Sequence, residues 1–429
     1  MFQRVGSMFD EYKGIPREAN ILIYSSFFNW AAEGLFFISL QVFLVLEGIS
    51  FSTGGYILGT FGVVSATSTL LFGGLADRYG KKKFVVGGGV LASLAIAIFG
   101  IDANVSHLFG AAVLAGLSEA MYASSWGAML ADKAGNLKRT SAFGLSFFVA
   151  TISAALGGFS TSLLAVMKSV YQIDLVTGNR YLFVGIAALS LIGPMIVYSK
   201  VSESEPRVGE RMGFHIIPRR ARRIVLRYVI YAFTIAIGAG MVIPLVSGWA
   251  YLKYGVANDV TGPIFGGINS LVMGVANLAT PWLARRFGTV RTIVLTQGSS
   301  TLFLFSMPFS PSFASASIIY IIRSMLMMMS NPAQNSLLMG LVSPEERSTA
   351  AALVAALWRL PNSISTGIGA SIMGMGAGNP GSIYLVLPFL ICTVLYLTAI
   401  TYFWRSFRDV RLPEEQVLAP ITEAVQATT

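Results

Sequence analysis

The chain has 429 residues, of which 54% are hydrophobic and only 12% charged, far more apolar surface than a single water-soluble core of this length needs. Its net charge of +10 lies in short loops between apolar runs rather than on one soluble face, which excludes a nucleic-acid partner, and the single cysteine, Cys392, excludes an intrachain disulfide or a cysteine metal site. Residues 1–18 are polar, with mixed charge and no apolar core before a small-residue cleavage site, so they are expected to form a tail rather than a signal peptide. Arg4, Lys13 and Arg17 with Phe2 and Phe9 suit an interfacial segment on anionic lipid, and a solvated tail is the equal alternative.

After this tail, apolar stretches near the ~20 residues that cross a ~30 Å hydrocarbon layer follow one another. In the first half they cover 20–46, 52–76, 84–101, 107–131, 141–167 and 181–198, and in the second half 224–252, 261–284, 292–309, 313–342, 350–375 and 383–404. Between the halves, residues 200–223 carry Glu203, Glu205, Arg207, Glu210, Arg219, Arg220, Arg222 and Arg223, the composition of a solvated linker. The expectation is an all-α membrane protein with 12 transmembrane helices in two pseudo-symmetric six-helix bundles, 19–199 and 224–404, with a second tail at 405–429.

An even number of spans puts both tails on one side, and the basic residues say which. One set of loops holds Arg78, Lys81, Lys82, Lys83, Lys133, Lys138, Arg139, Arg285, Arg286, Arg291 and Arg347, while the other holds only Lys168, Arg180 and Lys253. Lys and Arg flanking a span stay in the cytoplasm. Both termini and the linker of this multi-pass plasma-membrane protein are therefore expected to be cytoplasmic.

The loop Gly73-Gly74-Leu75-Ala76-Asp77-Arg78-Tyr79-Gly80-Lys81-Lys82-Lys83 joins the second and third stretches, and a degraded copy, Pro281-Trp282-Leu283-Ala284-Arg285-Arg286-Phe287-Gly288, joins the eighth and ninth. Gly80 and Gly288 are 288 − 80 = 208 residues apart, and Arg139 and Arg347 keep the interval, 347 − 139 = 208. One offset shared by two landmarks implies a duplicated chain. Duplication in a membrane protein is the ground plan of secondary transporters, with the substrate site between the halves. Gly80 permits the tight turn, the lysines meet the lipid surface, and Asp77 suits the exposed amides of a neighbouring helix start. Ser343-Pro344-Glu345-Glu346 itself reads as a helix start, with Ser343 as the cap.

Gly73-x-Leu75-Ala76-Asp77-Arg78-x-Gly80-Lys81-Lys82 resembles the signature loop of the major facilitator superfamily, with every defining position filled. The resemblance implies two helical halves that rock about a central cavity lined by the first, fourth, seventh and tenth helices. It also implies gating roles for Gly73, Asp77, Arg78, Gly80 and Lys81. Asp77 would dock beside residues 348–350 at the start of the eleventh helix, and Arg78 would pair with Asp132 at the end of the fourth. Arg139 and Arg347, in mirrored loops, join the gating set. Arg285 stands where the second copy would carry its acid, so the lock is expected to be one-sided. The competing reading is that these charges only set topology.

Function is expected where charge is buried. Of 20 acidic and 30 basic residues, only Glu33, Glu119, Arg323 and Arg359 fall deep within the apolar stretches. Each costs roughly 2.5–3.5 kcal/mol at a helix centre, so each should face a partner, a cavity or water. Glu33 lies on a polar stripe with Ser26, Asn29 and Gln41, Glu119 on one with Tyr122 and Ser125, and Arg323 on one with Tyr320, Met327, Asn331 and Gln334. Dehydration favours a neutral carboxyl group, while an arginine or water favours the charged form, so alternation between such settings moves a proton. Glu33, then Glu119, are the expected proton-coupling residues, and Asn29, Glu33, Glu119, Tyr122, Trp126, Tyr231, Arg323, Met327 and Asn331 the expected substrate-binding set. A static Glu119–Arg323 ion pair competes with this reading, and Arg359, between Trp358 and Pro361, is read as structural, with substrate binding the alternative.

No cofactor, metal or enzymatic role is expected: His107 and His215 are far apart, and the chain has no Walker-type phosphate loop. The fifth-helix glycine motif seen in drug/proton antiporters is reduced to Gly157 and Gly158, with Val149, Ser153 and Ala154 at its other positions. The fourth-helix arginine of many proton-coupled members is also missing, with Ala111, Ala112 and Ala115 upstream of Gly116. Gly14-Ile15-Pro16-Arg17-Glu18 and the methionine-rich tenth helix resemble drug exporters. The expected protein is a monomeric, proton-coupled secondary carrier of a small organic molecule in the lipid bilayer, with efflux the favoured direction. The alternatives are a symporter or facilitator importing an organic anion or sugar, and a membrane receptor or structural protein that does not transport.

Overall fold

Helices follow one another with breaks where the sequence supplies a cap, a proline or a turn glycine. The structure, a computed structural model, describes residues 13–203, 222–342 and 347–410, and no strand occurs among them. In the first half α1 (Arg17–Leu46) begins after Pro16, whose fixed φ suits a helix start. Helix α2 (Phe51–Tyr79) is capped by Ser50, whose side chain accepts from the Thr53 amide at 3.1 Å. Then come α3 (Lys81–Ile101), α4 (Val105–Ser160), α5 (Leu163–Tyr171), α6 (Leu175–Ser190) and α7 (Ile192–Lys200). Helix α4 is two expected stretches joined at a kink, where Gly135 has φ 67°.

The second half is more broken. Helix α8 (Arg222–Val242) passes through a 3₁₀ turn at Pro244 into α9 (Val246–Tyr254). The expected 261–284 stretch divides into α10 (Asn258–Thr261), a π segment (Gly262–Ile268), α11 (Asn269–Ala276), a 3₁₀ turn (Asn277–Ala279) and α12 (Thr280–Phe287). Helices α13 (Thr289–Ser306), α14 (Phe313–Met328), α15 (Ser330–Leu341), α16 (Arg347–Gly374) and α17 (Leu387–Phe407) complete it. Seven helical runs are long and apolar enough to cross a membrane, or eight counting the bent α2 as one span, among the described residues. The chain is thus an all-helical, multi-pass membrane protein. Most of the 200–223 linker, most of the 405–429 tail, the first twelve residues and the Ser343–Glu346 helix start lie outside the described residues.

Both copies of the duplicated loop turn on a glycine with positive φ, Gly80 at 103° and Gly288 at 82°, conformations a side chain rarely adopts. At this basic end the Glu18 carboxylate of α1 accepts from the Ser202 amide at 2.9 Å and pairs with Lys133 of α4 at 2.8 Å. Glu203 reaches the first turn of α3, accepting the Lys82 amide at 2.9 Å. These contacts tie α1, α3, α4 and the segment after α7 together.

At the far end the two chain halves touch. Asn179 of α6 and Asn258 of α10 exchange side-chain amide hydrogen bonds of 3.3 and 2.5 Å, and both are buried. A Cβ on Gly59 of α2 would stand 2.9 Å from the Ser363 carbonyl of α16, and one on Gly158 of α4 would stand 2.5 Å from Gly266 of the π segment. Only glycine allows backbones to approach so closely. Toward the basic end, by contrast, Gly73 and Gly74 of α2 meet no described atom within 4 Å of a Cβ.

Candidate functional site

Glu33, near the middle of α1, and Glu119, on the first part of α4, both line a cavity of about 540 Å³. Helical spacing puts Asn29 with Glu33 on one face of α1, and Glu119, Tyr122 and Trp126 on one face of α4. The Glu33 and Glu119 side chains are neighbours lining the same cavity.

The counter-charge comes from the other half of the chain. Arg359 of α16 donates through Nη2 to Glu119 Oε1 at 2.9 Å and through Nη1 to Ser65 Oγ of α2 at 3.0 Å. The Glu119 and Arg359 side chains keep 20% and 39% of their exposure, so the pair is open to the cavity rather than sealed in the core. Pro361, inside α16, has no N–H for the Leu357 carbonyl, a defect placed beside the arginine that bridges the halves.

The rest of the wall is mainly apolar. Tyr122 and Trp126 present nearly parallel rings, 18° apart in plane with centroids 6.1 Å apart. Trp30, Phe37 and Phe61 join them from the first half, and Met273, Asn277 and Met328 from the second. Asn29 Oδ1, Trp126 Nε1 and Asn277 Oδ1 have no protein hydrogen-bond partner, which leaves acceptor and donor capacity among the lining residues.

Asn29, Glu33, Glu119, Tyr122 and Trp126 of the sequence-derived set gather here. Four others lie elsewhere. Tyr231 is buried in α8, donating to Gln297 Oε1 at 2.7 Å. Arg323 is 5% exposed and faces α17, its Nη2 donating to Tyr396 Oη at 3.1 Å. Met327 packs on the apolar core, and Asn331 is exposed with Nδ2 3.4 Å from Met328 Sδ. The stripe through 320–334 assumed one unbroken helix. Pro332 cannot donate to the Met328 carbonyl, α14 stops at Met328, and Thr280 Oγ1 bonds the Met329 carbonyl at 2.8 Å across the break. Met328 is the residue turned to the cavity.

The competing Glu119–Arg323 pair is replaced by Glu119–Arg359, and Arg359, which the sequence left between a structural and a substrate-binding role, reaches the cavity. Sequence reasoning also missed Ser65 and Asn277. Arg359 carried a signal, being one of four charges in apolar stretches, but periodicity could not say that α16 leans on α2 and α4.

In the loop set, Asp132 takes Lys81 at 2.6 Å, whereas Arg78, the expected partner, lies over the Tyr79 ring at 5.4 Å. Lys81 is the nearer because it opens α3 beside α4, while Arg78 lies in the exposed last turn of α2. Asp77 and Arg139 are exposed, and the side chains of Arg347 and residues 348–350 lie outside the described residues.

Residues 22–366 match the family model described as Major Facilitator Superfamily. A curated relative, "Multidrug resistance protein 2" of Bacillus subtilis, is 29% identical over 143 residues, which are 32% of this chain and 36% of that protein. The match therefore spans about a third of the relative's length. Among solved structures, the nucleoside transporter NupG superposes with a TM-score of 0.72 at 14% identity, covering 91% of this chain and 99% of that one. A bacterial homolog of the human lysosomal transporter Spinster, inward-facing and unoccupied, gives 0.71 at 16%, covering 91% and 96%. A D-xylose-proton symporter gives 0.71 at 15%, covering 90% and 97%. At these identities the likeness is one of fold.

Proposed function

Since the chain belongs to the major facilitator superfamily, a family of transporters, we propose that it is a proton-coupled secondary carrier that exports a small organic molecule by alternating access. In this reading twelve spans form two six-helix bundles, 19–199 and 224–404, with both tails, the linker and the basic end in the cytoplasm. Closure at the far end through Asn179–Asn258 and the close glycine contacts supports a state open to the cytoplasm.

The observation that carries the coupling proposal is the neighbouring pair Glu33–Glu119 with Arg359 crossing from the other half. With one proton between the carboxyl groups, Glu119 keeps Arg359 and the halves stay tied. Loss of that proton leaves Glu33 as a negative charge not committed to the arginine, suited to a cargo with a positive group and an apolar aromatic body against Tyr122 and Trp126. Protonation of Glu119 itself frees Arg359 and loosens the tie. Import of an organic anion is disfavoured because Arg359, the only arginine lining the cavity among the described residues, is taken by Glu119.

The test is proton exchange on binding. Ligands are selected by thermal stabilisation from a panel of organic cations, neutral amphiphiles and organic anions, then titrated into weakly buffered, detergent-purified protein with a pH indicator. A bound cation is expected to release protons from the parent and none from Glu33→Gln. Equal release from both proteins would remove Glu33 from the coupling.

A further inference from the structure

The second half of the chain contains a buried cation with no carboxylate partner among the described residues. Arg323 of α14 is 5% exposed, and an arginine cannot shed its charge by deprotonating. From residue 222 to residue 410 the acids are Asp259, Glu345, Glu346 and Asp409. Asp259 lies in α10 at the far end, Asp409 lies beyond α17 and pairs with Arg408, and the two glutamates fall in a loop outside the described residues. Lys81 and Arg359 each have a carboxylate, whereas Arg323 has the hydroxyl of Tyr396 at 3.1 Å and the face of the same ring at 5.8 Å. Its Nε donates to no protein atom. A guanidinium out of water with a free donor and no opposite charge is strongly unfavourable unless something neutralises it.

We infer that Arg323 and Tyr396 hold a small monovalent inorganic anion of the halide class inside the second half, as a fixed counter-ion distinct from the transported cargo. The donor set fits this class. The Arg323 Nε–H has no protein acceptor, and Tyr396, which accepts from Nη2, has a hydroxyl proton that the weak acceptor Cys392 Sγ shares and an anion would take. Cys392 and Tyr320, both buried, complete a neighbourhood of weakly acidic donors without a carboxylate. A compact monoanion needs only such donors, whereas a phosphate or an organic carboxylate brings more charge or bulk than a closely packed interior admits. Met328 of the same helix reaches the cavity and Arg323 does not, so anion and cargo occupy different places.

Thermal unfolding of detergent-purified protein is measured while sodium chloride replaces sodium gluconate at constant ionic strength, and again with sodium bromide. The parent is expected to gain about 3–5 °C with a saturating dependence on either halide. Arg323→Met, which removes the charge while keeping apolar bulk, is expected to lose the halide dependence. Tyr396→Phe, which retains the ring, is expected to need about tenfold more halide for half the shift, and provides the readout should the arginine variant not fold. A parent indifferent to halide overturns the assignment. So does an unchanged halide curve in Tyr396→Phe or Arg323→Met. Because the readout is stability rather than flux, this result is independent of whether the protein exports by proton exchange.

Discussion

At the residue scale, the chemistry concentrates on three side chains. Removing Arg359 leaves Glu119 beside Glu33 without its cation, so Arg359→Gln is expected to slow transport by about tenfold or more, while Arg359→Lys retains part of the rate. The double variant Glu119→Gln/Arg359→Gln is expected to unfold nearer the parent temperature than Arg359→Gln alone, a coupling that a double-mutant cycle measures. The pH dependence of flux between pH 5 and 8 should come from the cavity rather than from carboxylates at the loop caps. Asp102 is held below the usual carboxylate range by the Asn104 amide and then by His107, and Asp174 by the Thr177 amide and side chain. A depressed carboxylate contributes its stabilisation above the ordinary value of about 4 and loses it only as pH falls through the lower folded value. Asp102→Asn and Asp174→Asn are therefore expected to leave the pH–flux profile between pH 5 and 8 in place, checked in reconstituted vesicles.

At the element scale, the helices divide their labour between a tied far end and a cavity that begins at mid-helix. The Asn179–Asn258 pair is buried between α6 and α10, so Asn179→Leu leaves the Asn258 amide unmatched and is expected to cost about 1–3 kcal/mol of stability, read by chemical unfolding in detergent. A cysteine pair at the same two positions should halt transport when oxidised and restore it when reduced. Gly59→Val, whose side chain would collide with the Ser363 carbonyl, should spread spin labels placed across the far end of α2 and α16. At the basic end Lys81→Met is expected to destabilise more than Arg78→Met, because Lys81 is the residue paired with Asp132. The helical stretches and the duplicated turn were legible in the sequence because apolar length and a 208-residue offset are one-dimensional signals. The polar stripes of α1 and α4 were legible for the same reason, those helices being regular from Asn29 to Glu33 and from Glu119 to Trp126. The break at Met329 was not, since Asn331-Pro332 announces a bend without saying which residue it turns inward. The partner of Glu119 was hidden too, because Arg323 and Arg359 look alike in a sequence and only the packing of α16 on α2 and α4 separates them.

At the scale of the whole molecule, the proposed coupling is a charge relay between the halves. Glu33 and Glu119 belong to the first half and Arg359 to the second, so changing one proton changes how strongly the halves hold each other. In the proposed cycle a proton gradient does work because the protonated and cargo-bound proteins favour different arrangements of the same two halves. The decisive measurement is uptake of a stabilising cation into vesicles that contain the inside-out protein with an acidic lumen, comparing the parent with Glu33→Gln and Glu119→Gln. Accumulation against a concentration gradient that collapses with the pH gradient, and that either substitution reduces to simple equilibration, is the expected result. Accumulation that persists in both variants, or cargo movement indifferent to the pH gradient in the parent, would contradict proton exchange at Glu33 and Glu119.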